Sequence, residues 1–128
     1  MILDSSAVVA LFLQEPGHED IRRKLVEADV PVISAATLVE TAIILSARMK
    51  KDARGSLARF IEENRIVVMP LTEGHYSIAV SAWLRYGKGR HPASLNFGDC
   101  ISYAPAKAAD MPLLCTGNDF AQTDLALA

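Results

Sequence analysis

Cysteine is scarce in this chain of 128 residues, which holds two, Cys100 and Cys115. Two are too few for a disulfide framework, and a reducing cytosol is the expected compartment. Long apolar runs are also missing. The longest, Ala7 to Leu13, falls far short of the ~20 residues needed to cross a bilayer. No leader pattern opens the chain, because MILD reaches an acid at position 4 before any apolar run. Positive charge is not in excess: 13 Lys and Arg stand against 15 Asp and Glu, a net −2. That balance argues against coating nucleic acid through global charge and leaves room for a local basic patch. A GxxxxGK[ST] phosphate loop is absent, which argues against nucleoside triphosphate chemistry. So is the GxSxG elbow of serine hydrolases. His18, His75 and His91 are scattered and the cysteines isolated, so no zinc pattern forms.

What is there reads as one domain, residues 1–128, with an ordinary globular balance of 51% hydrophobic and 22% charged residues. Short apolar runs at MIL (1–3), PVIS (31–34), IVVMP (66–70) and PLLCT (112–116) predict strands. Between them lie helical patterns. SSAVVALFLQ follows the first strand and stops at EPG (15–17). His18 to Ala28 puts Ile21, Leu25 and Ala28 on one face. Ala35 to Lys50 and Asp52 to Asn64 follow. Thr72 is a good cap for a helix with Tyr76, Ala79, Val80 and Trp83 on one face. After the loop YGKGRHPAS (86–94), a helix starts near Asn96 or Phe97 and runs to about Ala109; GNDFAQTD is a turn-rich tail. Pro105 falls inside that last helix, removes its bond to residue 101, and predicts a kink or an early break costing ~3 kcal/mol. Strands alternating with helices predict an α/β fold, a mainly parallel sheet with helices on both faces.

In such sheets ligands bind beyond the carboxyl ends of the strands. Asp4 is the first residue after MIL, and Asp119 comes shortly after PLLCT. Asp99 lies in the first turn of the helix before PLLCT. Glu40, embedded in TLVETAII, is about two turns into the helix after PVIS. Each has an ordinary explanation: a helix cap, a dipole partner, a turn residue, a solvated helix position. Together they do not. Four carboxylates on one edge repel, and each shifts towards its neutral form unless a cation compensates. An all-oxygen set suits Mg²⁺ or Mn²⁺. Such an ion keeps several waters, binds phosphates and activates water for in-line displacement. Asp99 therefore presents a specific question, since it stands in LNFGDC among apolar and small residues. A carboxylate there expects a cation in front and a packed support behind.

MILDSSAVVAL, the LVE of the third helix, YGKGRH followed by LNFGDC, and PLLCTGNDFAQTDL together resemble the PIN-domain ribonucleases. The resemblance is closest to the VapC toxins of bacterial toxin–antitoxin systems and covers nearly the whole chain. It implies a three-layer α/β/α sandwich around a parallel sheet of four or five strands. It implies Mg²⁺- or Mn²⁺-dependent endonucleolytic cleavage of RNA. Asp4, Glu40, Asp99 and Asp119 would form the acidic quartet, with Asp4 and Asp99 the principal metal ligands and Glu40 or Asp119 the base. Asp124 would stand in an outer shell. Asn118 occupies a place where many relatives carry an acid, and Cys115-Thr116 replaces a frequent Phe-Lys, which makes Asn118 and Thr116 secondary candidates. The resemblance also implies a homodimer and a VapB-type antitoxin whose amphipathic helix places an Arg near the acids. Arg85, Lys88, Arg90 and His91, just before the Asp99 helix, would hold RNA phosphates. Two other functions compete. A phosphatase would want Asp where Ser6 stands, and a receiver would want an acid at Met69-Pro70. A catalytically inactive PIN-like module, binding RNA or protein without turnover, is the third.

Overall fold

The computed structural model describes residues 1–128. Its elements run β1 (Ile2–Leu3), α1 (Ser5–Leu13), α2 (His18–Glu27), β2 (Val32–Ser34), α3 (Ala35–Met49) and α4 (Arg54–Glu63). Then come β3 (Val67–Met69), α5 (Glu73–Tyr86), α6 (Phe97–Ala109), β4 (Leu113–Leu114) and a 3₁₀ turn, Phe120–Gln122. The sheet order is β3-β2-β1-β4, all parallel. Leu127 adds an isolated parallel bridge to Leu113 beyond β4, the rudiment of a fifth strand.

Alternation along the short strands divides the core in two. Leu3, Ile33 and Leu114 pack with α1, α2, Leu45 and Leu57 on one side. Ile2 and Leu113 pack with Ala82, Tyr86, Cys100, Tyr103 and Ala106 from α5 and α6 on the other. Helices therefore cover both faces, the three layers that strand–helix alternation and the family resemblance imply. With both faces covered, the central strands carry no polar alternation, as buried parallel strands do not. β3 is an edge, with Val67 and Val68 about half exposed.

The early break expected at Pro105 is not found: α6 continues to Ala109. The proline ring is fully buried, and Cys100, Tyr103, Ala104 and Ala106 on either side of it are buried too. Packing on both sides of the missing hydrogen bond holds the helix through it. On α5, Tyr76, Ala79, Val80 and Trp83 share one face, lining a common hollow, and that face points outward. Tyr76, Val80 and Trp83 are 68%, 45% and 41% exposed, while His75, Ala82 and Tyr86 face the core. His75 is buried because its Nδ1 accepts the Thr72 backbone N–H at 2.9 Å, closing the helix start. No helix is long and apolar enough to cross a membrane.

Candidate active site

Asp4 leaves the central strand β1 and caps α1, and it is almost fully buried. Its carboxylate is held from three directions. Oδ2 accepts the Ser6 backbone N–H at 3.1 Å and the Ser6 hydroxyl at 2.6 Å, and Oδ1 accepts the Ser102 hydroxyl at 2.5 Å. Ser6 Oγ in turn accepts the Thr116 backbone N–H at 3.0 Å. The end of β1 is thereby tied to the end of β4, from which the chain continues to Asp119.

Asp99 stands in the first turn of α6. Its Oδ2 accepts the Asn96 backbone N–H at 3.0 Å, while its own N–H donates to Asn96 Oδ1 at 2.9 Å. This reciprocal capping box fixes the helix start and the carboxylate together. Burial pushes the Asp99 carboxyl up to about 6; the Asn96 hydrogen bond opposes that, and Asp4, Asp119 and Glu40 add to it. All the charged groups acting on Asp99 are acids, drawn from residues 4, 40 and 119. Cys115 registers the same field. Its thiol is raised to about 11, first by burial and then by Asp4, Asp99 and Asp119.

Glu40 reaches this place because residue 98 is glycine. A Cβ on Gly98 would lie 1.9 Å from Glu40 Oε2 and 2.8 Å from its Cδ. The Glu40 carboxylate thus lies where a side chain would be, one residue from Asp99. The structure brings together Asp4, Glu40, Asp99 and Asp119, from the end of β1, α3, α6 and the segment after β4.

The remaining sequence candidates divide. Thr116 contributes its backbone N–H rather than its side chain, and Asn118 is exposed beside Asp119. Asp124 does not join the four. Its Oδ1 accepts the Tyr103 hydroxyl at 2.6 Å and its Oδ2 accepts from Lys107 Nζ at 2.8 Å. Those partners, Lys107 first, hold its carboxyl below the usual range. Arg85 faces the same place, 3.8 Å from Asp124. In the basic loop, Arg90 lies over the Trp83 ring at 4.4 Å. His91 Nδ1 accepts the Ala93 N–H at 3.0 Å, and its ring stands edge-on to Tyr86. Lys88 is exposed. Sequence reasoning missed Ser102 and the role of Ser6. Both were marked by spacing, Ser6 two residues after Asp4 and Ser102 three after Asp99 on the same helix face.

A cation fits this donor set. The donors are carboxylate oxygens, and one of the carboxylates, Asp99, is desolvated and raised further by three other acids. No three acidic, His or Cys side chains close into a ready cage.

Acids at the carboxyl edge of a parallel α/β/α sheet are an arrangement suited to cations and phosphate chemistry. The PIN-domain family model matches residues 1–125. Ribonuclease VapC36 of Mycobacterium tuberculosis is 48% identical over 126 residues, covering 98% of this chain and 91% of that protein. A ribonuclease VapC of Mycolicibacterium smegmatis is 36% identical, covering 98% of both. Among solved structures, Mycobacterium tuberculosis VapC20, described as a sarcin–ricin-loop-cleaving toxin, superposes with a TM-score of 0.79 at 21% identity, covering 99% of this chain and 97% of that one. Rickettsia felis VapBC2, bound to a fragment of its promoter DNA, gives 0.73 at 18%, with 99% and 96% covered. The chain belongs to the PIN-domain family, among its VapC ribonucleases.

Proposed function

We propose that this chain is a divalent-metal-dependent endoribonuclease, the toxin of a type II toxin–antitoxin pair, acting as a single PIN domain in the cytoplasm. One observation carries the proposal: acids from three distant segments act on a single desolvated carboxylate, Asp99, with hydroxyl donors already holding the buried Asp4. The names of the relatives support the ribonuclease class.

Asp4 and Asp99 would hold Mg²⁺, with Mn²⁺ a competent substitute. The bound ion would supply charge for the phosphate oxygens and lower the pKa of water. Glu40 or Asp119 would serve as the base for that water. Lys88, Arg90 and His91 lie in the loop just before the Asp99 helix and would draw RNA phosphates to it.

Cleavage of total RNA is expected with Mg²⁺ or Mn²⁺ and is abolished by EDTA. Activity rises with pH across the region around 6, as Asp99 loses its proton. That midpoint moves lower as Mg²⁺ is raised, because ion and proton compete for one carboxylate. Cleavage that survives EDTA overturns the metal dependence, and a profile from pH 5 to 8 that stays flat at limiting Mg²⁺ removes Asp99 from the site.

Two apolar hollows meet at Phe97, which is 80% exposed. One, of about 480 Å³, runs between Tyr76, Trp83 and Ile101. The other, of about 330 Å³, runs past Val39 and Ile43 to Glu40. A second copy of the chain would cover the first. An antitoxin helix would fill the second, where an Arg can reach the acids. Light scattering is expected to show a dimer for the wild type and a folded monomer for Phe97→Glu. A monomeric wild type would remove the homodimer.

A further inference from the structure

A file of hydroxyls is buried between the start of α3 and the middle of α6. Ser34, Thr37 and Ser102 are at most 1% exposed. The Ser34 hydroxyl donates to Thr37 Oγ1 at 3.0 Å. Thr37 Oγ1 and Ser102 Oγ lie 3.3 Å apart, and Ser102 donates to Asp4 Oδ1 at 2.5 Å. A carboxylate only accepts, and each hydroxyl has one proton. The two ends therefore set the direction of the middle bond, with Thr37 donating to Ser102. Ser34 Oγ is completed by the Thr37 backbone N–H at 3.0 Å.

Packing does not call for these groups. Ala104 and Ala106 are as deeply buried on the same helix and bring no polar atom. A buried hydroxyl is unfavourable unless it is paired. What the file does is join segments. Ser34 ends β2 and caps the helix that carries Glu40. Ser102 lies one turn beyond Asp99. The file ends on Asp4. Because Asp4 Oδ2 already takes two bonds from Ser6 and Oδ1 takes one from Ser102, the open acceptor position is on Oδ1.

We propose that the Ser34–Thr37–Ser102 file is a positioning device for the cation site. It holds Asp4 with one oxygen free to ligate and sets α3 and α6 in register around it. This inference rests on the metal-dependent reading given above.

The test is calorimetric titration of the metal-free full chain with Mn²⁺, alongside thermal unfolding, for wild type, Ser102→Ala, Thr37→Val and Thr37→Ser. Ser102→Ala is expected to bind Mn²⁺ about tenfold more weakly or worse, the usual effect of removing a group that orients a ligand. Thr37→Val, nearly isosteric, loses affinity in the same direction and unfolds cooperatively. Thr37→Ser keeps the hydroxyl and binds as wild type does. If Ser102→Ala and Thr37→Val shift only the unfolding temperature and leave Mn²⁺ affinity unchanged, the file is structural and the proposal is overturned. Should Ser102→Ala not fold, the Thr37 pair decides: equal affinities for Val and Ser overturn it. A wild type that takes up no Mn²⁺ overturns the metal-dependent reading itself, a result distinct from equal binding by wild type and variants.

Discussion

Asp99→Asn is expected to abolish RNA cleavage and, in the same protein without metal, to raise thermal stability above pH 6. Removing a group that merely orients a ligand costs 10- to 100-fold, so losing a principal ligand costs more than about 100-fold. The stability gain follows from the sign of the shift. Burial, with Asp4, Asp119 and Glu40, raises the Asp99 carboxyl to about 6 from 3.8. The folded state therefore binds a proton more tightly than the unfolded state. The resulting cost is fully present above pH 6 and disappears as pH falls below about 4. In a fully buried group a shift of this size would correspond to ~3 kcal/mol. Solvent reaches part of this carboxylate, and screening reduces the figure to about 1 kcal/mol. Asparagine keeps an acceptor for the Asn96 N–H, so the helix start survives. Denaturant unfolding at pH 7.5 and at pH 4 checks this, with the difference present at the first and gone at the second. A variant that cuts RNA at the wild-type rate removes Asp99 from the site.

Gly98→Ala is expected to lower cleavage about 100-fold, the scale of a 1 Å misplacement in an active site, with stability unchanged or slightly higher. The new Cβ would lie 1.9 Å from Glu40 Oε2. The backbone has no reason to yield, since alanine is preferred to glycine in a helix by ~1 kcal/mol. Glu40 is the long, free end of the contact, and it swings away. The variant should therefore match Glu40→Gln in rate, and the double variant should fall no further than either single one. Additive losses would show that Gly98 acts on something other than Glu40. An unchanged rate would show that catalysis does not need Glu40 where it lies.

The order of strands and helices was legible because strand-length apolar runs and helical stripes do not mimic each other over this chain. The acids were legible because they fall at strand ends and helix starts, where charge has an ordinary explanation singly but not jointly. The outward turn of Tyr76 and Trp83 was not, because periodicity marks an apolar face without saying what covers it. Pro105 misled for a related reason. Its local cost is real, and the packing that offsets it comes from neighbours distant in sequence. Asp124 was placed in an outer shell by its position and is held instead by Lys107 and Tyr103. The hydroxyl file was invisible because Ser34 reads as a helix cap, and Thr37 and Ser102 as unremarkable helix residues. Only the fold puts residues 37 and 102 in contact.

The parallel order β3-β2-β1-β4 carries a consequence for synthesis. β1, made first, lies between two strands, and its second neighbour is not made until residue 113. Asp119 follows later still. Such non-local pairings form late and slowly. A nascent chain on the ribosome, surrounded by RNA, therefore has no assembled acidic cluster until almost the whole of this sequence has emerged. Chains cut short before β4 lack both Asp119 and the strand that pairs with β1 at residues 113 and 114.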